Sequence, residues 1–112
     1  MKRIPRFLVE DILRGIEYIE QDVKGLTFES FITNRLVRQA TERNLSIIGE
    51  AINQLPVEFR TQHPEIEWRD IVDFRNKVIH EYFGINYQII WEVIQDDLPV
   101  LKKQFSDVKF EQ

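Results

Sequence analysis

From Tyr87 onward, the apolar residues Tyr87, Ile90, Trp91, Ile94, Leu98, Leu101, Phe105 and Val108 recur at steps of three and four. That is the period of one helical face. A strand would alternate every second residue, so this end of the chain can only be helix. Asn86 is placed to cap its start. Pro99 interrupts the run on the polar side, which predicts a kink or short break with the stripe carried through, and a restart capped by Asp96 or Asp97.

The rest of the chain reads the same way. Arg6 to Val23 carries Leu8, Val9, Ile12, Ile16, Ile19 and Val23 on one face, with Pro5 suited to a first turn and Gly25 to a left-handed end. Thr27, with Ser30 three residues on, starts a pattern that runs from about Phe28 to Leu55, where Pro56 stops it. Its expected buried stripe is Val37, Ala40, Ile47, Ile48, Ala51, Ile52 and Leu55. Asn44 falls inside as a core amide, Gly49 allows close packing, and Glu50 lies on the solvated side. Val57 to Glu67 reads as a connector with one short turn, and His63-Pro64 as a loop. A further helix spans Trp68 to Phe83, and Gly84 breaks it.

Nothing reads as a strand. The expectation is a single domain over residues 1–112: an all-α, antiparallel bundle of four to five helices. The stripes are wide and 12% of the residues are aromatic. That is more apolar surface than a lone small bundle hides, so a homodimer is expected.

Composition narrows the function. The chain is 43% hydrophobic and 30% charged, as a soluble globular domain is. No apolar run approaches the roughly 18 residues of a membrane span, and Glu10, Asp11 and Glu17 interrupt any signal-peptide core. The cytoplasm is the default location. There is no cysteine, hence no disulfide or thiolate metal site. With two histidines, a transition-metal site is not expected, and no cofactor motif is present. The net charge of −4 argues against coating nucleic acid by bulk electrostatics, though not against a local basic cleft.

The sharpest local conflict lies in Trp68 to Phe83. On a helical wheel Trp68, Ile71, Val72, Val78, Ile79 and Tyr82 form an apolar stripe with Arg75 in its middle. A guanidinium keeps its proton, so either Arg75 meets a buried acceptor or the stripe opens onto a cleft or interface. Arg69, Asp73, Asn76 and His80 line the polar edge beside it, with Lys77 adding basic charge.

A histidine can exchange protons near neutral pH, and an arginine fork matches phosphate oxygens. An asparagine can orient a hydroxyl. Together these suffice for cleaving RNA without metal, by attack of the 2′-hydroxyl on the adjacent phosphorus. Arg75 and His80 stand five apart, about 140° around a helix. They would flank a substrate within one chain and converge more easily across a two-fold axis. The same residues also read as a solvated edge with a bonded arginine, and Tyr82 as a core residue.

Arg75-Asn76-Lys77-Val78-Ile79-His80-Glu81-Tyr82 resembles the R-x4-H-x-Y motif of HepT-like proteins in the HEPN superfamily. Ile48-Gly49-Glu50-Ala51 is similar to the family's IGEA signature. Pro64, Ile66 and Trp68 resemble its P-x-I-P-W lead-in, with Glu67 in place of the usual proline, and Trp91 and Leu98-Pro99 fall where its last helix has them. The resemblance covers nearly the whole chain. It implies a dimeric helical bundle with the motifs facing across a cleft. It also implies the toxin half of a toxin–antitoxin pair, a metal-independent ribonuclease. Attack by the 2′-hydroxyl would leave a 2′,3′-cyclic phosphate, with tRNA and mRNA both open as substrates. By position, Arg75 and His80 would be catalytic with Asn76 assisting. Arg69 and Lys77, the basic residues around His80 in the sequence, are the candidate RNA contacts. The implied antitoxin is a minimal nucleotidyltransferase that silences the toxin by adding AMP to Tyr82. The competing expectation is a non-catalytic helical dimer that docks such a partner.

Overall fold

The computed structural model describes residues 4–84 and 86–110, and only the backbone of residues 79–84. Among the described residues it is all-helical: α1 (Pro5–Val23), α2 (Phe28–Ile32), α3 (Arg35–Gln54), α4 (Val57–Gln62), α5 (Trp68–Gly84), α6 (Tyr87–Glu92), a π-helical turn (Val93–Asp97) and α7 (Leu98–Ser106). No described helix is long and apolar enough to cross a membrane.

The helix ends follow local chemistry. Pro5 opens α1, where its missing N–H is not needed. Gly25, at φ 80°, carries the chain away from α1 in the left-handed region. Thr27 and Ser30 form a reciprocal capping box: the Ser30 N–H donates to Thr27 Oγ1 at 3.1 Å and the Thr27 N–H to Ser30 Oγ at 2.8 Å.

The expected unbroken helix from Phe28 to Leu55 is in fact two. Thr33 and Asn34 leave the helical path, and Asn34 Oδ1 caps α3 by accepting the Val37 N–H at 3.1 Å. The short α2 thereby turns Phe31 fully inward. Phe31 meets Trp91 at 5.1 Å and Tyr87 at 6.5 Å between ring centroids, tying α2 to α6.

The stripe of α3 is also rotated from expectation. Thr41, Leu45, Ile48, Ala51, Ile52 and Leu55 are buried, while Ile47 is exposed and Val37 and Ala40 are half-buried. The seam follows steps of three and four through Leu45, Ile48 and Ile52, and Ile47 stands about 100° away from Ile48. Asn44 is half-buried rather than a core amide.

α1 and α3 run antiparallel. Leu8 lines one groove with Ala51 and Gln54, and seven residues on Gly15 lies against Ile48 and Asn44. The approach at Gly15 is close: a Cβ there would stand 2.8 Å from Ile48 Cγ1. α7 packs on α1, where Lys102 Nζ donates to Glu20 Oε1 at 2.8 Å. α5 packs on α3.

At Pro99 the break takes an unexpected form. No side chain caps the restart at Asp97. Instead the helix widens, and the Leu98 N–H reaches back five residues to the Val93 carbonyl. A wider turn accommodates the proline ring and its missing donor without ending the helix. Val93, Ile94, Leu98, Leu101 and Phe105 stay buried through it, so the stripe is continuous as expected.

Candidate active site

The lead-in to α5 is built by the connector. Trp68 Nε1 donates to the His63 carbonyl at 2.9 Å, and the Trp68 N–H donates to the Ile66 carbonyl at 2.9 Å. The indole sits edge-on to Phe59 and Phe105, with centroids 6.0 and 6.2 Å away. His63 Nδ1 pairs with Glu65 Oε2 at 3.0 Å. The carboxyl of Glu65 is held below its ordinary value by its own backbone N–H first and by His63 second. These bonds fix where α5 begins, and hence which way each later side chain faces.

Along α5 the buried seam is Ile71, Phe74 and Val78. Trp68, Val72 and Arg75 are half-buried, and Arg69, Asp70, Asp73, Asn76 and Lys77 are exposed. Phe74 belongs to the core, which shifts the centre of the apolar face. Arg75 therefore lies on the flank of the stripe and not in its middle.

That flank explains how the guanidinium is accommodated. Arg75 Nη1 donates to Asn53 Oδ1 at 3.0 Å and Nη2 donates to Asn76 Oδ1 at 3.0 Å. Asn53 and Asn76 are exposed, so of the two expected arrangements the buried acceptor is not found among the described residues, and two amides at the rim hold the guanidinium. The Nε–H is buried without a partner among the described residues. No described carboxylate stands within ion-pair distance of Arg75.

The other candidates separate. Asn76 touches Arg75 directly. Arg69 is exposed, and helical geometry puts it on the same side of α5 as Asn76, about two turns earlier. Lys77 faces the other way. Its Nζ is paired with Asp97 of the π-turn at 3.1 Å, in a groove of about 320 Å³ whose lining includes Asp70 and Asp73. His80 and Tyr82 lie within α5, so the five-residue offset from Arg75 to His80 is a helical one. The side chains of both lie outside the described residues. Among the described residues no group of three or more histidine and carboxylate side chains is arranged to hold a metal.

Asn53 is the residue that reading the sequence missed. A polar side chain at the rim of a helix is ordinary by itself. Its role emerges only with its partner, 22 positions later in the chain.

A family model described as ribonuclease HepT-like matches residues 12–108. The chain belongs to the ribonuclease HepT-like family. Relatives of this HepT-like chain match it over nearly its whole length. A candidate RNase of Caldanaerobacter subterraneus subsp. tengcongensis is 44% identical over 106 residues, covering 95% of each chain. A protein of Thermococcus cleftensis named probable ribonuclease HepT is 38% identical over 109 residues, covering 97% of this chain and 99% of its own. A candidate RNase of Methanocaldococcus jannaschii is 36% identical over 107 residues, covering 96% of this chain and 98% of its own. No solved structure matches. The helical bundle is the one expected of a HepT-like chain, with the R-x4-H segment carried on a single helix.

Proposed function

We propose that this HepT-like chain is a metal-independent endoribonuclease, acting as a homodimer and serving as the toxin of a toxin–antitoxin pair. The observation that carries the reading is the state of Arg75. Its guanidinium is oriented by two neutral amide oxygens at the rim of α5, five residues before His80. Arg14, by contrast, pairs with the carboxylate of Asp11, which cancels its charge. One held by amides keeps its full charge for a phosphate.

In the proposed reaction the RNA 2′-hydroxyl loses its proton and attacks the adjacent phosphorus. The phosphorane charge falls on Arg75, and the 5′-oxygen leaves with a proton. The products are a 2′,3′-cyclic phosphate and a 5′-hydroxyl. His80 moves one proton, and in a two-fold dimer the second copy's histidine supplies the other. Asn76 holds Arg75, and Arg69, on the same side of α5, contacts the RNA backbone. Lys77 is engaged by Asp97 and contributes less. The antitoxin is a nucleotidyltransferase that transfers AMP from ATP to the Tyr82 hydroxyl and releases pyrophosphate. A charged adduct two residues from His80 obstructs RNA.

The test is incubation of end-labelled tRNA and mRNA with unmodified protein in EDTA, after its intact mass has excluded an adduct. Arg75→Ala and His80→Ala are run alongside. Cleavage by the wild type alone supports the reading. Failure of a folded, unmodified dimer to cut either RNA favours the alternative, a helical module that only docks its partner.

A further inference from the structure

We propose that Asn53, on a different helix from the R-x4-H motif, is a positioning residue that keeps the Arg75 guanidinium oriented and its charge uncancelled for an RNA phosphate. The inference rests on the ribonuclease reading and assigns a role within that same site.

Carboxylates are plentiful in this chain, with 19 acidic residues to 15 basic ones. Several cations use them: Arg14 pairs with Asp11 at 3.3 Å, Lys77 with Asp97 at 3.1 Å and Lys102 with Glu20 at 2.8 Å. Arg75 is held differently. Both terminal nitrogens donate to amide oxygens, one from α3 and one from its own helix. Because arginine only donates, each amide must turn its oxygen toward it, which fixes all three side chains. Asn76 alone, adjacent in sequence, can move with Arg75. Asn53 is anchored on α3 and ties the guanidinium plane to a second rigid element. Two of the five N–H donors are taken, and each terminal nitrogen keeps one hydrogen.

The neutrality of Asn53 is what a test can isolate. Asn53→Asp keeps the size and the acceptor oxygen but cancels the charge. Asn53→Ala removes the acceptor. Asn53 is exposed near the end of α3. There an aspartate gains a pair with Arg75 while opposing the helix dipole, so the melting temperature stays near that of the wild type. A purely structural amide would tolerate aspartate, since the hydrogen bond survives.

The experiment measures cleavage of unmodified RNA in EDTA and binding of a fully 2′-O-methylated, uncleavable RNA across a salt series. The proteins are wild type, Asn53→Asp, Asn53→Ala, Arg75→Ala and Asn53→Asp/Arg75→Ala. Asn53→Asp is expected to lower kcat on the order of tenfold or more, and to reduce the salt slope of binding by about 0.7, the share of one phosphate contact on a single strand. Asn53→Ala is expected to lower kcat less and leave the slope in place. In the Arg75→Ala background Asn53→Asp is expected to change nothing further. An Asn53→Asp protein that cleaves and binds as the wild type does overturns the positioning role. So does an aspartate effect that persists without Arg75, since that is plain repulsion of RNA. Absence of cleavage by the wild type overturns the ribonuclease reading instead, and is told apart because it precedes any comparison of variants.

Discussion

Gly15→Ala sets two effects of opposite sign against each other in the middle of the bundle. Alanine is a better helix former than glycine by about 1 kcal/mol. The added Cβ, however, would stand 2.8 Å from Ile48 Cγ1 and 3.2 Å from its Cδ1, and Ile48 is fully buried. Cδ1 can swing aside about χ2, but Cγ1 moves only by leaving the one χ1 rotamer that a β-branched residue prefers in a helix, or with the backbone of α3. Overpacking of this kind costs about 1–3 kcal/mol. The net expectation is destabilisation of about 1 kcal/mol, a fall in Tm of about 4–8 °C for a domain near this size.

Urea unfolding of a four-member cycle checks the cause. Ile48→Ala alone should cost about 2–5 kcal/mol by leaving a cavity. In that background the alanine at position 15 meets space, so Gly15→Ala should turn stabilising by about 1 kcal/mol. If Gly15→Ala stabilises the protein equally with and without Ile48, the close approach of α1 and α3 is wrong. The point bears on the site, because α3 carries the Asn53 that touches Arg75.

Other consequences are more local. Asn34→Ala removes the cap that starts α3, and should cost about 1 kcal/mol in urea unfolding. Trp68→Phe removes the indole bond to the His63 carbonyl, and should cost about 1–2 kcal/mol. It should do so without changing helix content by circular dichroism. Glu65 titrates below its ordinary 4.5 when folded. Its contribution is therefore complete above pH 4.5 and is lost as the pH falls through the folded value. The difference in Tm between wild type and Glu65→Gln should hold steady from pH 7 to about 4.5 and shrink at lower pH.

What could be read from the sequence was mostly what is local. Pro5, the Thr27–Ser30 pair and Asn86 act on backbone groups within three residues, so their caps are written in adjacent letters. The helix break at Thr33-Asn34 was not legible. Either residue can lie inside a helix, and Asn34 becomes a cap only once α2 has turned to bury Phe31 against Trp91. Pro99 announced an interruption, but a capped restart and a widened turn both accommodate a residue with no N–H, and the chain takes the wider turn.

At the site, Arg75 stood out because its charge conflicts with an apolar stripe. Its placement was displaced because Phe74, one residue earlier, joins the core and rotates the face. Its partner on α3 depends on how two distant helices pack, which no local pattern encodes. The family resemblance was legible because the R-x4-H-x-Y segment and the IGEA-like segment are short, contiguous and correctly ordered.

The most direct test of the central claim is the chemistry of the RNA ends. RNA cut by unmodified wild-type protein in EDTA, analysed by mass, should carry a 2′,3′-cyclic phosphate on one fragment and a 5′-hydroxyl on the other, and His80→Ala should make neither. Fragments ending in a 3′-hydroxyl and a 5′-phosphate, or cyclic ends that persist in His80→Ala, would contradict it.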